Sequence, residues 1–142
     1  MQRTLKAGMT HKFKLVLFIL LAAALLLAAC GGAGQAGVSP AAGAVEGYLQ
    51  ALVAKDSAKL ANQSCKDWES QATLEMDSFQ AVTAALEGVA CKETGKDGSI
   101  TYVNCQGNIV ATYNNEKQKL DLSPRTYKVV QEGGEWRVCG YK

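Results

Sequence analysis

The chain has 142 residues, of which 48% are apolar, 20% charged and 7% aromatic. That composition suits one folded domain and excludes disordered, collagenous and multi-pass membrane chains. The formal charge of +2 hides an asymmetry, because all four basic residues before position 30 (Arg3, Lys6, Lys12, Lys14) lack an acidic counterpart there. From Cys30 onward 11 Lys and Arg face 13 Asp and Glu, a net charge of −2. A mildly acidic domain without a basic run lacks the phosphate attraction that dominates nucleic-acid binding, so no nucleic-acid partner is expected. The one histidine, His11, lies in the same early segment, leaving no imidazole for a Ser-His-Asp or Cys-His arrangement or for most zinc sites.

Residues 1–14 are polar and basic, and residues 15–29 (LVLFILLAAALLLAA) are continuously apolar and end in small residues before Cys30. This is the layout of a secretory leader. A spanning helix needs about 20 apolar residues, and this run has 15. Leu27-Ala28-Ala29-Cys30 resembles the lipobox of bacterial lipoproteins. The resemblance implies cleavage after Ala29, a diacylglyceryl group on the Cys30 sulfur and acylation of the new amine. It places the protein at the extracytoplasmic side of a membrane, with the bilayer as its first partner. Several acyl chains hold a protein at a bilayer where a single chain does not. By the same analogy Gly31, in place of Asp, carries no inner-membrane retention signal. Residues 31–39 (GGAGQAGVS) read as a flexible tether spanning roughly 15–18 Å. The expected organisation is therefore a leader over 1–29, a lipidated cysteine and tether over 30–40, and a folded domain over 41–142.

Ser39-Pro40 has the form of a helix N-cap followed by proline in the first turn. Val45, Tyr48, Leu49, Leu52 and Val53 then form one apolar stripe, which predicts a helix over 41–55 despite Gly43 and Gly47. Lys55-Asp56-Ser57 breaks it. A short helix over 57–62 follows, capped by Asp56 or Ser57. Ser64 is expected to cap a third helix whose buried face runs Cys65, Trp68, Ala72, Met76, Phe79. Asp67, Glu69, Glu75 and Asp77 on that helix read as a solvated face; Glu69 and Asp77 are too far apart to share a proton, and no calcium-loop spacing is present.

Residues 80–90 alternate well enough to predict a strand with a bulge near Gly88. The turn-rich stretch Glu93–Ser99 predicts a hairpin, and Ile100–Cys105 and Ile109–Tyr113 read as strands separated by Gln106-Gly107. After a turn at Asn114–Lys117, Thr126–Gln131 and Glu135–Tyr141 form a closing hairpin around Glu132-Gly133-Gly134. Helices followed by an antiparallel meander make an α+β domain, with N-terminal helices packed on a curved sheet.

Four cysteines beyond Cys30, namely Cys65, Cys91, Cys105 and Cys139, predict two disulfides in an exported chain. Intervening gaps of 25, 13 and 33 residues contain no C-x2-C pair for zinc or redox chemistry. Three connectivities are open. The hairpin favours Cys91 with Cys105, although a three-residue loop ending at Gly98 would set Cys91 opposite Val103 unless a bulge intervenes. Cys65 would then pair with Cys139.

The helix around Gly47-Tyr48-Leu49 and Ala51–Asp56, the cysteine after it, the hairpin around Lys96-Asp97-Gly98 and the ending Gly134-Glu135-Trp136-Arg137-Val138-Cys139 together resemble the small nuclear-transport-factor-2-like, or cystatin-like, α+β domains of bacterial lipoproteins. The resemblance covers roughly residues 41–142. It supports Cys65 with Cys139 and Cys91 with Cys105, and it implies a cone-shaped cavity suited to a small apolar ligand. Tyr48, Trp68, Tyr102, Tyr113, Tyr127 and Trp136 are the side chains expected near that cavity, with ordinary core packing as the alternative. Enzymes of the family use Asp/His or Tyr/Asp pairs inside the cone, and this domain has no histidine. No catalytic, cofactor-binding or metal-binding set is therefore read. Two functions remain: a non-enzymatic, membrane-anchored binding or scaffold module for a protein or small apolar ligand, and an isomerase- or dehydratase-like enzyme using a cavity Asp or Glu beside a tyrosine. The second requires a buried carboxylate within hydrogen-bond reach of the cone.

Overall fold

Residues 37–142 are described by the computed structural model; the expected leader, Cys30 and tether residues 31–36 lie outside the described residues. Three helices, α1 (Pro40–Ala54), α2 (Ser57–Gln63) and α3 (Glu69–Asp77), precede five strands: β1 (Thr83–Asp97), β2 (Ile100–Tyr113), β3 (Glu116–Asp121), β4 (Thr126–Glu132) and β5 (Glu135–Tyr141). The Ser39 side chain accepts from the Ala42 amide at 3.2 Å, and Pro40 opens the helix as its spacing predicts. The stripe Val45, Tyr48, Leu49 and Leu52 is fully buried. Lys55 ends α1 in the left-handed region (φ 57°) and its ammonium donates to the Val82 carbonyl at 2.7 Å. Asp56 caps α2 by accepting from the Lys59 amide.

The sheet is antiparallel in the order β1-β2-β4-β5. β2 is long enough to pair β4 through Thr101–Asn104 and β3 through Asn108–Tyr113 on the same side. The sheet curls into a half-barrel around α1, whose apolar face meets Val103, Ile109, Tyr127, Val129 and Val138 in one core. Burying each such side chain contributes about 1.5–3 kcal/mol. β1 is an outer strand with unpaired backbone donors, a surface that invites unwanted pairing. Glu46 of α1 covers one of these, accepting the Cys91 amide at 3.1 Å.

Cys91 lies directly opposite Cys105 and is bonded to it; Cys65 is bonded to Cys139. The hairpin reaches this register differently from expectation. Its loop has two residues, Gly98 and Ser99, with positive φ at Gly98 (57°), and one extra residue between Glu93 and Gly95 shifts the pairing so that the cysteines meet. The bulge near Gly88 is present between Glu87 and Ala90. Gln106-Gly107 does not interrupt the strand as expected, because Gly107 (φ 97°) lets β2 pass beside that bulge; a Cβ there would sit 2.6 Å from the Gly88 carbonyl oxygen. Residues 80–82 are turn rather than strand, so β1 begins at Thr83.

The third helix also starts later than expected. Ser64 ends α2 in extended conformation and bridges Val138 in parallel, while the Cys65 amide donates to the Val138 carbonyl at 2.8 Å. Tied to β5 by backbone and disulfide, Cys65 cannot join a helix. The chain turns through Lys66–Trp68, and α3 begins only at Glu69.

Candidate functional site

α3 carries Ala72 and Met76 inward at one helical turn, and Phe79 follows them into the core. Glu75 lies three residues after Ala72 and shares that face. Its side chain is only 12% exposed, so the expected solvated face is wrong at this position. The helical spacing that buries Trp68, Ala72 and Met76 brings Glu75 with them, seven residues after Trp68. That slot was the available signal in the sequence.

Glu75 accepts from three donors on distant elements. Its Oε2 accepts from the Tyr48 hydroxyl of α1 at 2.7 Å, and its Oε1 from Arg125 Nη1 at 2.8 Å and the Tyr141 hydroxyl at 3.2 Å. Trp68 Nε1 donates to the Tyr48 oxygen at 3.2 Å, extending the network to the α2–α3 turn. The Arg125 guanidinium lies 4.3 Å from the centre of the Tyr141 ring, a cation–π contact. Arg125 is placed by the turn before β4, where Asp121 accepts from the Ser123 amide and hydroxyl. Tyr127 is fully buried beside Tyr141, with ring centres 5.5 Å apart, and its hydroxyl has no hydrogen-bond partner among the described residues.

The aromatic residues expected at a cavity divide into two sets. Tyr48, Trp68 and Tyr127 gather around Glu75, joined by Tyr141 and Arg125, which the sequence reading did not single out. Tyr102 lies under the Lys142 ammonium, Tyr113 is 59% exposed at the end of β2, and Trp136 lines a separate groove. That groove, about 490 Å³, runs between the start of α1 (Pro40, Gly43), the end of α2 (Gln63) and β5 (Glu135, Trp136, Arg137). A second cavity of about 430 Å³ lies over the Cys91–Cys105 bridge. Neither reaches Glu75. Among the described residues no three His, Cys, Asp or Glu side chains converge on a point suited to a metal.

Burial, then the Glu75 carboxylate, pushes the Tyr48 phenol well above its ordinary range, and the same two causes raise Tyr141. Burial pushes Tyr127 up to about 12, against the opposing pull of Arg125. Phenols that hold protons more tightly in the folded state contribute stability that is fully present below the unfolded pKa of about 10 and lost as pH climbs through the folded value. Tyr127 alone accounts for about 3 kcal/mol of this loss once pH passes about 12. Denaturant titrations at stepwise rising pH are expected to show stability falling only above about pH 10, with Tyr48 and Tyr127 yielding tyrosinate absorbance together with unfolding. Tyrosinate from all five tyrosines in a still folded protein would contradict this burial.

No protein-family model matches the chain, and no curated protein matches it in sequence. Among solved structures, a candidate ketosteroid isomerase from Shewanella frigidimarina superposes with a TM-score of 0.51 at 14% identity, over 74% of this chain and 95% of that one. The fold is nuclear-transport-factor-2-like. A SEC-C motif containing protein from Rhodopseudomonas palustris gives a TM-score of 0.48 at 11% identity over 73% of this chain and 80% of its own. The nuclear-transport-factor-2-like fold supports enzymes as well as other functions, so function rests on the residues of the site.

Proposed function

We propose that this protein is a lipid-anchored, extracytoplasmic bacterial lipoprotein whose nuclear-transport-factor-2-like domain, residues 41–142, is a non-enzymatic binding or scaffold module. The leader over 1–29, lipidation of Cys30 and the tether that follows are parts of this proposal, supported by the Leu27-Ala28-Ala29-Cys30 sequence and by two disulfides that need an oxidising compartment. The observation that carries the non-enzymatic reading is the occupancy of Glu75. Both its oxygens accept hydrogen bonds from within the chain, one of them from a guanidinium, and Tyr48, Trp68 and Tyr141 join the same network. A general base must face its substrate, whereas three donors of the chain already engage this carboxylate. On this reading the partner is a protein or a membrane component met at the surface rather than an apolar ligand inside the cone.

One observation favours the enzymatic alternative: a buried carboxylate does stand within hydrogen-bond distance of two tyrosines, as an isomerase- or dehydratase-like site would require. It ranks second because a substrate would have to displace the Arg125 pair to reach Glu75. Thermal-shift titration with steroid and apolar ligands is expected to leave the melting temperature unchanged. A rise that disappears in Glu75→Gln would overturn the non-enzymatic reading.

For the anchor, Cys30→Ser is expected to move the protein from the membrane pellet to the soluble fraction and to abolish labelling by palmitate. A variant that still pellets and labels would refute lipidation at Cys30.

A further inference from the structure

The outer face of the sheet carries a cluster of cations that folding leaves without a use. Side chains alternate across a pleated sheet, so Tyr102, Asn104 and Gln106 of β2 point away from the face on which Val103 and Cys105 pack into the core with α1. Register carries that outer face across four strands. Lys92 of β1 lies opposite Asn104, Asn104 lies opposite Thr126 of β4, and Thr126 exchanges both backbone hydrogen bonds with Lys142 just beyond β5. Two residues along, Lys128 lies opposite Tyr102. The side-chain contacts agree with this placement: Thr94 Oγ1 donates to Asn104 Oδ1 at 2.9 Å, Asn104 Nδ2 donates to Thr126 Oγ1 at 3.1 Å, and the Lys142 ammonium stands 5.3 Å from the centre of the Tyr102 ring.

The charged side chains in these rows are Lys92, Lys128 and Lys142, no acid stands among them, and none of the three forms a salt bridge among the described residues. A lysine on a sheet gains stability from an acid directly opposite it, yet Asn104, Tyr102 and Thr126 hold those positions. The single sign is local, since the chain from Cys30 onward carries a net charge of −2. A cavity of about 430 Å³ opens on the same face, lined by Lys92, Thr94, Asn104, Gln106 and Ser123. Strand spacing and rise put the backbones of Lys128 and Lys142 about 8 Å apart and those of Lys92 and Lys142 about 14 Å apart. Carboxylates two and four residues apart in an extended chain, about 6.7 and 13 Å, match these separations within the reach of a lysine side chain. Acids border the patch: Asp97 opposite Ile100, Asp121 opposite Asn108, and Glu132 opposite Glu135 at the far end of β4. That border repels a continuous anionic surface such as a membrane and admits a short acidic segment.

We propose that this outer face of β1, β2 and β4 docks a short acidic segment of a partner protein, one carboxylate seated in the cavity at Lys92 and others on Lys128 and Lys142 beside Tyr102. This docking role rests on the binding-module reading above, whose partner it supplies with a surface and a charge. Complementary charge governs which segment binds and how fast it arrives more than how tightly it holds. Salt weakens the contact, because all three lysines are open to water.

Titration of the full chain with a synthetic octapeptide of alternating glutamate and threonine is expected to shift the backbone amide signals of Lys92, Tyr102, Asn104 and Lys128 in nuclear magnetic resonance and to leave α1–α3 unshifted. The matching lysine–threonine peptide should shift none of them. Lys92→Gln and Lys128→Gln are each expected to weaken binding about threefold, the scale of one exposed ion pair, and the triple variant with Lys142→Gln at least about tenfold. Lys92→Arg and Lys128→Arg should retain it. These side chains lie outside the core, so the variants keep the native melting temperature. Absence of a shift, undiminished binding by the triple variant, or tighter binding to phosphatidylglycerol vesicles than to the peptide would overturn the proposal, the last by giving this face to a membrane. A substrate found at Glu75 would instead remove the binding-module reading by itself, because the peptide titration reads only the outer face.

Discussion

Glu75→Ala is expected to destabilise the domain by about 3 kcal/mol, lowering the melting temperature by roughly 12–20 °C. The loss comes less from the ion pair itself than from what it strands: the Arg125 guanidinium, 18% exposed, and the hydroxyls of Tyr48 and Tyr141 all lose their acceptor. Glu75→Gln should fall between, since its amide oxygen still accepts one of these donors while its NH2 meets the others. Replacing Glu75 and Arg125 together by methionine should recover part of the loss, because a pair of apolar side chains leaves no unpaired charge in the interior. Denaturant unfolding of the two single variants and the double variant measures that coupling. A Glu75→Ala protein with the native melting temperature would show that the network holds nothing together and would remove the main argument against a catalytic role for Glu75.

Replacing Cys65 and Cys139 together by alanine is expected to cost about 2–5 kcal/mol, with chain entropy alone suggesting about 4.5 for two residues 74 apart. The bond between Cys91 and Cys105 closes a much shorter segment, 14 residues, and its removal is expected to cost about 3. The long bridge also holds the Ser64–Trp68 segment against the outer edge of β5, where Ser64 pairs Val138. Its loss should therefore free the turn that carries Trp68 and weaken the bond from Trp68 to Tyr48. Comparison of denaturation midpoints, with the Cys91/Cys105 pair as the internal reference, checks the order. A smaller effect for the 65–139 pair than for the 91–105 pair would contradict the entropic account.

Both expectations depend on contacts that differ in how far along the chain they reach, and the same difference separates what could be read from the sequence from what could not. Ser39-Pro40 marks the start of α1 because a side-chain acceptor three residues before a free amide and a fixed proline φ act within one turn. The burial of Val45, Tyr48, Leu49 and Leu52, the strands flanking Gly98 and the closing hairpin around Gly133 and Gly134 are equally local, set by period and by residues that tolerate positive φ. Ser64 failed as a cap because the competing partner, Val138, lies 74 residues away and no local preference records it. Gly107 was misread as a break because its purpose, close passage beside the Gly88 bulge, belongs to another strand. Glu75 was misread most seriously, since a carboxylate on a helix is a solvated residue by default.

The amino-acid order by itself determined the class of the fold, the sequence of its elements and the set of four cysteines beyond Cys30, all of which follow from side chains acting on near neighbours or from composition. Only the tertiary structure decided that Glu75 turns inward to meet Arg125, 50 residues later, and Tyr141, 66 residues later, and that Ser64 pairs with Val138 rather than capping a helix. Those outcomes depend on curvature and strand register, which bring remote residues together, and no one of the segments involved contains that information alone.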